Sequence, residues 1–357
     1  MQTILGGITA SQISTPRLTA QVLERSAIVG SSDSSSAPGD ARTVVLVHGN
    51  VSSSLFFQPL MLALPSSIRA VAVDLRGFGG SQTLPIDATR GVRDFSDDVA
   101  SVLDALGIGG AHVVGWSLGG GVVMQLLLDR PDLVASLTLE SPVSPYGFGS
   151  TGADGAILNG GAGAGGGGAN PDFVARLDSD DRSDDSPTSP RSVYRSAYVK
   201  RPEAIDHEDL WVESMLTTAT GIDNYPGNSA ATDAWPGFAP GTTGVLNTLA
   251  PGNFDTTAIV GIPAKPPILW IRGADDAIVS DTSFFDLNYL GQLGAIPGWP
   301  GADVAPAQPM VSQTRAVLDA YSADGGAYRE VVFEDCGHSP HLEQPEGFVA
   351  ALVEHIG

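Results

Sequence analysis

The sequence predicts an α/β fold: a mostly parallel central sheet flanked by helices, interrupted by a long, loop-rich insertion. Three observations carry that prediction. Short β-branched runs alternate with longer amphipathic stretches, the pattern of βαβ units. One such run enters a helical stretch directly through the glycine-flanked serine of Gly115-Trp116-Ser117-Leu118-Gly119. The alternation stops after Pro142 and resumes only at Pro267. The division this implies is a core of residues 1–141 and 263–357 around an inserted lid of residues 142–262.

Taken in order, Arg17–Glu24 alternates in polarity and reads as an antiparallel edge strand. Thr43–His48, Arg69–Asp74 and His112–Trp116 are continuous apolar runs and read as buried strands. Ser136–Glu140, Pro267–Arg272 and Tyr328–Phe333 continue the series. Asp94–Leu106 places Phe95, Val99, Val102, Leu103 and Leu106 at helical spacing, with an acidic outer face. Leu118–Asp129 is apolar almost all round, hence a buried helix, and Arg130-Pro131 ends it. Glu346–His355 reads as a closing helix. Within the insertion, Gly160–Gly168 reads as a flexible linker or loop. Asp178–Asp185 reads as a solvated acidic loop, because it lacks the turn glycine and terminal Glu of a calcium loop. Phe173, Tyr194, Tyr198, Trp211, Tyr225, Trp235 and Phe238 crowd the same insertion and must pack on something, which makes it a lid over the sheet.

The 357 residues suggest about two structural units, or one large domain with an insertion. Lys plus Arg is 18 against 40 Asp plus Glu, a formal charge of −22. Such a chain lacks the cations that bind phosphate backbones and is repelled by anionic membranes, so nucleic-acid and membrane partners are excluded. The same field biases it towards neutral or cationic small molecules, within a screening length of about 8 Å. Ala111–Leu128 carries no Asp, Glu, Lys or Arg over a length that suits a membrane span. Its embedded glycines suit a strand, a sharp turn and a helix better. Met1–Ala10 has no basic residue and too short an apolar run for a secretory signal, so a cytoplasmic protein is expected. Cys336 is the only cysteine and reads as an apolar filler. No metal-ligand spacing, P-loop or dinucleotide fingerprint occurs, so neither metal nor cofactor is expected.

The chemistry lies in short segments at strand ends. Gly115–Gly119 matches G-x-S-x-G in the strand-to-helix context that the motif requires. A serine at such an apex is strained, its neighbours must be small for other chain segments to approach, and the following helix aims its free N–H groups at an anion beside Ser117. His48-Gly49-Asn50 ends the first buried strand, the place for an oxyanion loop. The backbone N–H groups of Asn50 and Leu118 can share a tetrahedral oxyanion, with Val51 as the other possible donor beside Asn50; one such donor is worth about 3–4 kcal/mol. Gly273-Ala274-Asp275-Asp276 offers a carboxylate and Gly337-His338 a base, in the chain order Ser…Asp…His. Asp275 is the alternative acid next door, and Glu140 stands at the alternative acid position one strand earlier. His341 competes with His338, which follows its strand more directly. His112, His207 and His355 belong to no motif.

The segments VLVHGN, DLRGFGGS, GWSLGGG, LWIRGADDAIV and GHSPHLEQPE together resemble the α/β-hydrolase family, over residues 17–141 and 263–357. The resemblance implies a serine hydrolase of a carboxylic ester or related acyl bond. In it Ser117 attacks, His338 removes the proton and Asp276, three residues after the glycine, orients the imidazole. It also implies that Asp74-Leu75-Arg76-Gly77 is a structural turn held by an Asp–Arg contact. Relatives that cleave haloalkanes or epoxides carry aspartate at the elbow, so Ser117 sets this chain apart from them. A lactonase shares the triad. A proline-iminopeptidase-like amidase is the other alternative, with Glu203, Asp206, Glu208 or Asp209 holding an amine, although its usual elbow is GGSWG. A non-catalytic binding protein on the same fold is the reading from a different class. The expected partner is a small, neutral or apolar acyl compound.

Overall fold

The computed structural model of the chain describes residues 3–27 and 42–357. Met1 and Gln2, the start of the segment judged for a secretory signal, lie outside them. Eight strands form the central sheet in the order β1-β2-β4-β3-β5-β6-β11-β12. They are β1 (Thr9–Ser14), β2 (Thr19–Arg25), β3 (Thr43–Val47), β4 (Arg69–Val73), β5 (Ala111–Trp116), β6 (Val134–Glu140), β11 (Ile268–Gly273) and β12 (Tyr328–Phe333). Neighbours from β4 to β12 run parallel, whereas β1 and β2 are antiparallel to what they pair with. The short strands β7 (Thr220–Gly221), β8 (Tyr225–Pro226), β9 (Ser229–Ala231) and β10 (Phe238–Pro240) form two small pairs in the insertion.

The order positions the site. From β3 the chain steps to β4 on one side and then crosses to β5 on the other. The loops after β3 and β5 therefore part at their carboxyl ends and leave a crevice at the switch point. Both strands are buried on two faces, which is why they read as continuous apolar runs. Among the described residues no helix is long and apolar enough to cross a membrane. The uncharged stretch Ala111–Leu128 divides instead into β5, a turn at Ser117 and the buried helix α3 (Leu118–Asp129), which follows α1 (Gln58–Ala63) and α2 (Arg93–Leu106).

Several expectations need correction. The strand expected at the edge, β2, is covered by β1, a polar strand (TASQIS) with no apolar alternation to betray it. β12 is half-exposed, not buried, because it is the sheet's other edge. The acidic face of α2 is not simply solvated: Asp94 and Asp98 are buried. Arg76 Nε lies 2.6 Å from Asp98 Oδ2, and Arg17 Nε lies 2.7 Å from Asp98 Oδ1. Asp74 consequently does not pair with Arg76. Its carboxylate accepts from the N–H of Ser54 (2.7 Å) and of Gly80 (2.9 Å) and from Gln21 Nε2 (3.1 Å), so the turn is held by two backbone donors and one side-chain amide.

The insertion contains α4 (Pro171–Asp178), the single turn α5 (Pro190–Val193), a π-type turn over Tyr194–Tyr198 and α6 (Glu208–Leu216). Phe173, Tyr194, Tyr198, Trp211 and Tyr225 join the core, the Phe56 ring lying 5.1 Å from Trp211 and 6.0 Å from Tyr198, centroid to centroid, whereas Trp235 and Phe238 stay half-buried outside it. The glycine run is packed, not a flexible linker. A Cβ on Gly166 would come within 2.5 Å of the Asn228 carbonyl oxygen, and Asn247 Oδ1 accepts the Gly166 N–H. Beyond β11 lie α7 (Leu287–Gln292), α8 (Met310–Ala323), the short α9 (Pro340–Glu343) and α10 (Pro345–Ile356).

Candidate active site

Ser117 stands between β5 and α3 with φ 57° and ψ −118°, a left-handed conformation that costs a non-glycine residue of the order of 1–3 kcal/mol. The surroundings hold it there. Its N–H donates to the Glu140 carbonyl at 2.9 Å, and its own carbonyl accepts from Gly120 and Val143. The flanking glycines are steric necessities: a Cβ on Gly115 would lie 2.3 Å from the Gly119 oxygen, and one on Gly119 would lie 2.2 Å from the Val47 oxygen. The neighbouring loop comes equally close, since a Cβ on Gly49 would be 2.9 Å from Ser117 Cβ. Leu118 opens α3, so its N–H has no acceptor within the helix.

Asp276 and His338 are brought together from the loops after β11 and β12. Asp276 Oδ2 lies 2.8 Å from His338 Nδ1, both side chains being 2% exposed. Asp276 Oδ1 accepts the N–H groups of Ile278 (2.8 Å) and Val279 (2.9 Å), which fixes the carboxylate. A carboxylate at Nδ1 puts the ring proton there and leaves Nε2 with its lone pair. The indole of Trp116 donates to the His338 carbonyl at 2.8 Å, tying the histidine turn to the residue before Ser117.

The alternative acids are placed elsewhere. Asp275 is exposed and pairs with Lys200 Nζ at 3.0 Å. Glu140 is fully buried, and its Oε1 accepts from His341 Nδ1 (2.7 Å) and from the His341 N–H (2.9 Å). His341 is thereby engaged, and its ring packs between Phe57 and Trp116. Burial pushes the Cys336 thiol well above its ordinary range, so it stays protonated. Among the described residues no group of three or more His, Cys, Asp or Glu side chains is arranged to hold a metal ion.

Ser117, His338, Asn50, Val51 and Leu118 all line one cavity of about 580 Å3. Its remaining wall is mostly apolar, with Phe148, Phe173, Tyr198, Tyr225 and Leu249 from the insertion and Phe284, Phe285, Leu287 and Leu290 from residues 277–309, and it carries the uncharged polar side chains of Asn170, Thr188 and Ser196. Among the described residues, no Asp, Glu, Lys or Arg lines it. Of the acids considered for an amine, Glu208 is held by Arg191 and Arg195, Asp209 pairs with Arg191, and Glu203 and Asp206 lie away from the cavity. The sequence reading missed the wall from residues 277–309, whose signal was the adjacent pair Phe284-Phe285. It also missed the contact of Tyr198 with the Asn50 loop, for which no local signal exists.

An eight-stranded, mostly parallel sheet with this strand order, carrying a serine at a strained strand-to-helix turn opposite a buried Asp–His pair, defines the α/β-hydrolase class. The chain belongs to the alpha/beta hydrolase family, whose model matches residues 44–351. It is 34% identical over 111 residues to the carboxylesterase YbfK of Bacillus subtilis (strain 168), covering 31% of this chain and 37% of that protein. Over 115 residues it is 41% identical to the dihydrolipoyllysine-residue acetyltransferase component of the acetoin cleaving system of Cupriavidus necator, covering 31% of this chain and 28% of that one. The chain thus spans well under half the length of these relatives. The crystal structure of carboxylesterase CesB (YbfK) from Bacillus subtilis superposes with a TM-score of 0.57 at 19% identity, covering 98% of this chain and 91% of that one.

Proposed function

We propose that the protein is a serine hydrolase that cleaves carboxylic esters of uncharged, mainly apolar compounds through an acyl-enzyme on Ser117. The observation that carries this reading is the largely apolar cavity that Ser117 shares with His338, whose Nδ1 is bonded to buried Asp276. Ser117 Oγ attacks the carbonyl carbon while its proton passes to His338 Nε2. Asp276 fixes the tautomer and stabilises the imidazolium. The carbonyl oxygen, now an anion, accepts from the N–H groups of Leu118 and Asn50. Collapse expels the alkoxide, which takes the proton from His338. Water, deprotonated by the same nitrogen, then displaces the acid from Ser117 and restores the hydroxyl. Residues 142–262 act as the lid, joined by residues 277–309.

The carboxylesterase named among the relatives supports ester cleavage, and a lactone meets the same requirements of the site. The lack of any Asp or Glu on the cavity wall among the described residues speaks against an amine-binding aminopeptidase, because a desolvated ammonium would find no counter-charge in them. The test is Ser117→Ala assayed on p-nitrophenyl esters and with a fluorophosphonate probe. Turnover is expected to fall by about four or more orders of magnitude and labelling to vanish, with the fold intact. Hydrolysis by the variant at the wild-type rate would sink the assignment, and folded wild type that never labels would favour a binding protein.

A further inference from the structure

The segment Tyr198–Arg201 of the insertion crosses directly over the candidate site and touches three of its loops. Tyr198 Oη lies 2.9 Å from the carbonyl oxygen of Asn50 and 3.2 Å from that of Val51, so its one proton is shared between carbonyls on the loop after β3. Its ring stands edge-on to Trp116 and His338, with centroids 5.9 and 6.2 Å away. Two residues on, the Lys200 N–H donates to Glu343 Oε2 at 2.7 Å, while Glu343 Oε1 accepts from Gly337, the residue before His338, also at 2.7 Å. One carboxylate therefore joins the strap to the histidine turn. The approach is so close that a Cβ on Gly337 would lie 2.9 Å from the Lys200 nitrogen, which explains the glycine before His338. At the surface Lys200 pairs with Asp275 and Arg201 with Asp335.

The contact with Asn50 and Val51 is the informative one. Val51 has φ 46°, a conformation that is a genuine outlier for a β-branched residue and persists only when its surroundings impose it. The two carbonyls that flank this strained residue are the two facing Tyr198 Oη. On the other side of Asn50, the Gly49 carbonyl accepts from Ser52 Oγ at 2.8 Å and faces His48 Nδ1 at 2.8 Å. In a trans peptide the C=O and the following N–H point in opposite directions. Holding the Gly49 and Asn50 carbonyls from behind therefore aims the N–H groups of Asn50 and Val51 the other way. Gly49, one residue earlier, is packed against Ser117.

We infer that Tyr198 is a positioning residue: from the lid, it locks the peptide between Asn50 and Val51, which aims the Val51 N–H directly and, by holding the strained turn in place, keeps the Asn50 N–H beside Ser117. This rests on the function proposed above. Burial keeps the phenol protonated, as a donor of this kind requires. A lid-borne lock makes oxyanion stabilisation depend on a seated lid, so the loop cannot reach its working geometry from the core alone.

Tyr198→Phe removes one oxygen and keeps the ring in the cavity wall. Measured on a p-nitrophenyl ester in the full chain, kcat is expected to fall about ten- to hundredfold with KM within about threefold. The rate of fluorophosphonate labelling, whose phosphoryl oxygen uses the same donors, should fall by a similar factor. Val51→Gly removes the strain, because glycine takes φ 46° at no steric cost, so adding it to Tyr198→Phe should recover part of the lost kcat. An unchanged kcat, a loss confined to KM, or losses that multiply in the double variant would each overturn the inference. Should Tyr198→Phe alone fail to fold, the double variant with Val51→Gly decides by the same split between kcat and KM. If wild type neither hydrolyses esters nor labels, the proposed function has failed, and not merely the role of Tyr198.

Discussion

Asp276→Asn separates the two adjacent acids and tests the tautomer argument at its root. The carboxylate sits in an asymmetric cradle: Oδ1 accepts two backbone N–H groups, from Ile278 and Val279, and Oδ2 faces His338 Nδ1 at 2.8 Å. Asparagine fits the same space, but only one of its two ends can accept. The two backbone donors claim the amide oxygen, which turns the NH2 group towards His338. A donor opposite Nδ1 forces the ring proton onto Nε2, so the nitrogen that should take the Ser117 proton already carries one. The expected loss is about four orders of magnitude in kcat/KM, the size of effect such a substitution has in serine-hydrolase triads, equivalent to about 5.5 kcal/mol. Because both backbone donors keep an acceptor, stability should change by no more than about 1 kcal/mol. Asp275→Asn breaks only an exposed pair with Lys200, worth about 0.2–1 kcal/mol, and should cost at most about fivefold. The assay is steady-state hydrolysis of p-nitrophenyl butyrate, with urea midpoints recorded on the same preparations. A folded Asp276→Asn enzyme retaining more than a tenth of wild-type kcat/KM would refute the reasoning, as would a larger loss at Asp275.

Two further outcomes follow from the geometry. His48 is buried with Nε2 accepting the Leu75 N–H at 3.0 Å and Nδ1 facing the Gly49 oxygen, so it is held neutral, and burial pulls its pKa below the ordinary value near 6.5. Between the lowered and the ordinary value the unfolded chain binds the extra proton; His48 therefore contributes stability that is complete above about pH 6.5 and is lost as pH falls towards the folded value. Urea midpoints of wild type should drop more steeply over this window than those of His48→Asn, and parallel curves would contradict the assignment. Phe284 and Phe285 are 57% and 44% exposed at the cavity wall. Truncating either to Ala removes about half a phenylalanine's burial against a long acyl chain, about 1 kcal/mol, so kcat/KM on an octanoate ester should fall about fivefold while the acetate ester is unaffected. Equal losses on both esters would remove these residues from the acyl subsite.

What the sequence made legible is what local constraints enforce. β3, β5 and α3 are buried on all sides, and the elbow needs Gly115 and Gly119 because other backbone occupies the space their side chains would fill. What stayed hidden is set by distant partners. β1 has no apolar pattern because it owes its existence to hydrogen bonds from β2. The buried face of α8 is interrupted by Gln313 and Thr314, and Gln313 is satisfied by Ser144, Thr151 and Gly152, more than 150 residues away in the chain. The glycine run reads as a linker because composition cannot distinguish a glycine that moves from one packed against backbone. Asp74 and Arg76 are adjacent in sequence, yet each finds its partners elsewhere, because helix α2 supplies two buried carboxylates that compete for the guanidinium. The carboxylate choice at 275 and 276 depends likewise on which side chain the turn directs inward.

The net charge of −22 acquires a different meaning once the acids are located. Many are spent on arginines: Asp94, Asp97 and Asp98 on Arg17, Arg76 and Arg90, Asp172 and Asp181 on Arg176, and Glu208 on Arg191 and Arg195. None of them lines the cavity. Beyond about 8 Å at physiological salt the remaining field is largely screened, so it contributes little inside an apolar chamber. Selection against ions there comes from desolvation. A carboxylate or ammonium entering a cavity without counter-charge loses several kcal/mol of hydration with nothing to replace it. On the function proposed above, the expected preference is therefore for uncharged substrates, and the bias towards cations expected from the bare count would act only outside the cavity. Of the buried carboxylates near Ser117, Asp276 is committed to His338 and Glu140 to His341.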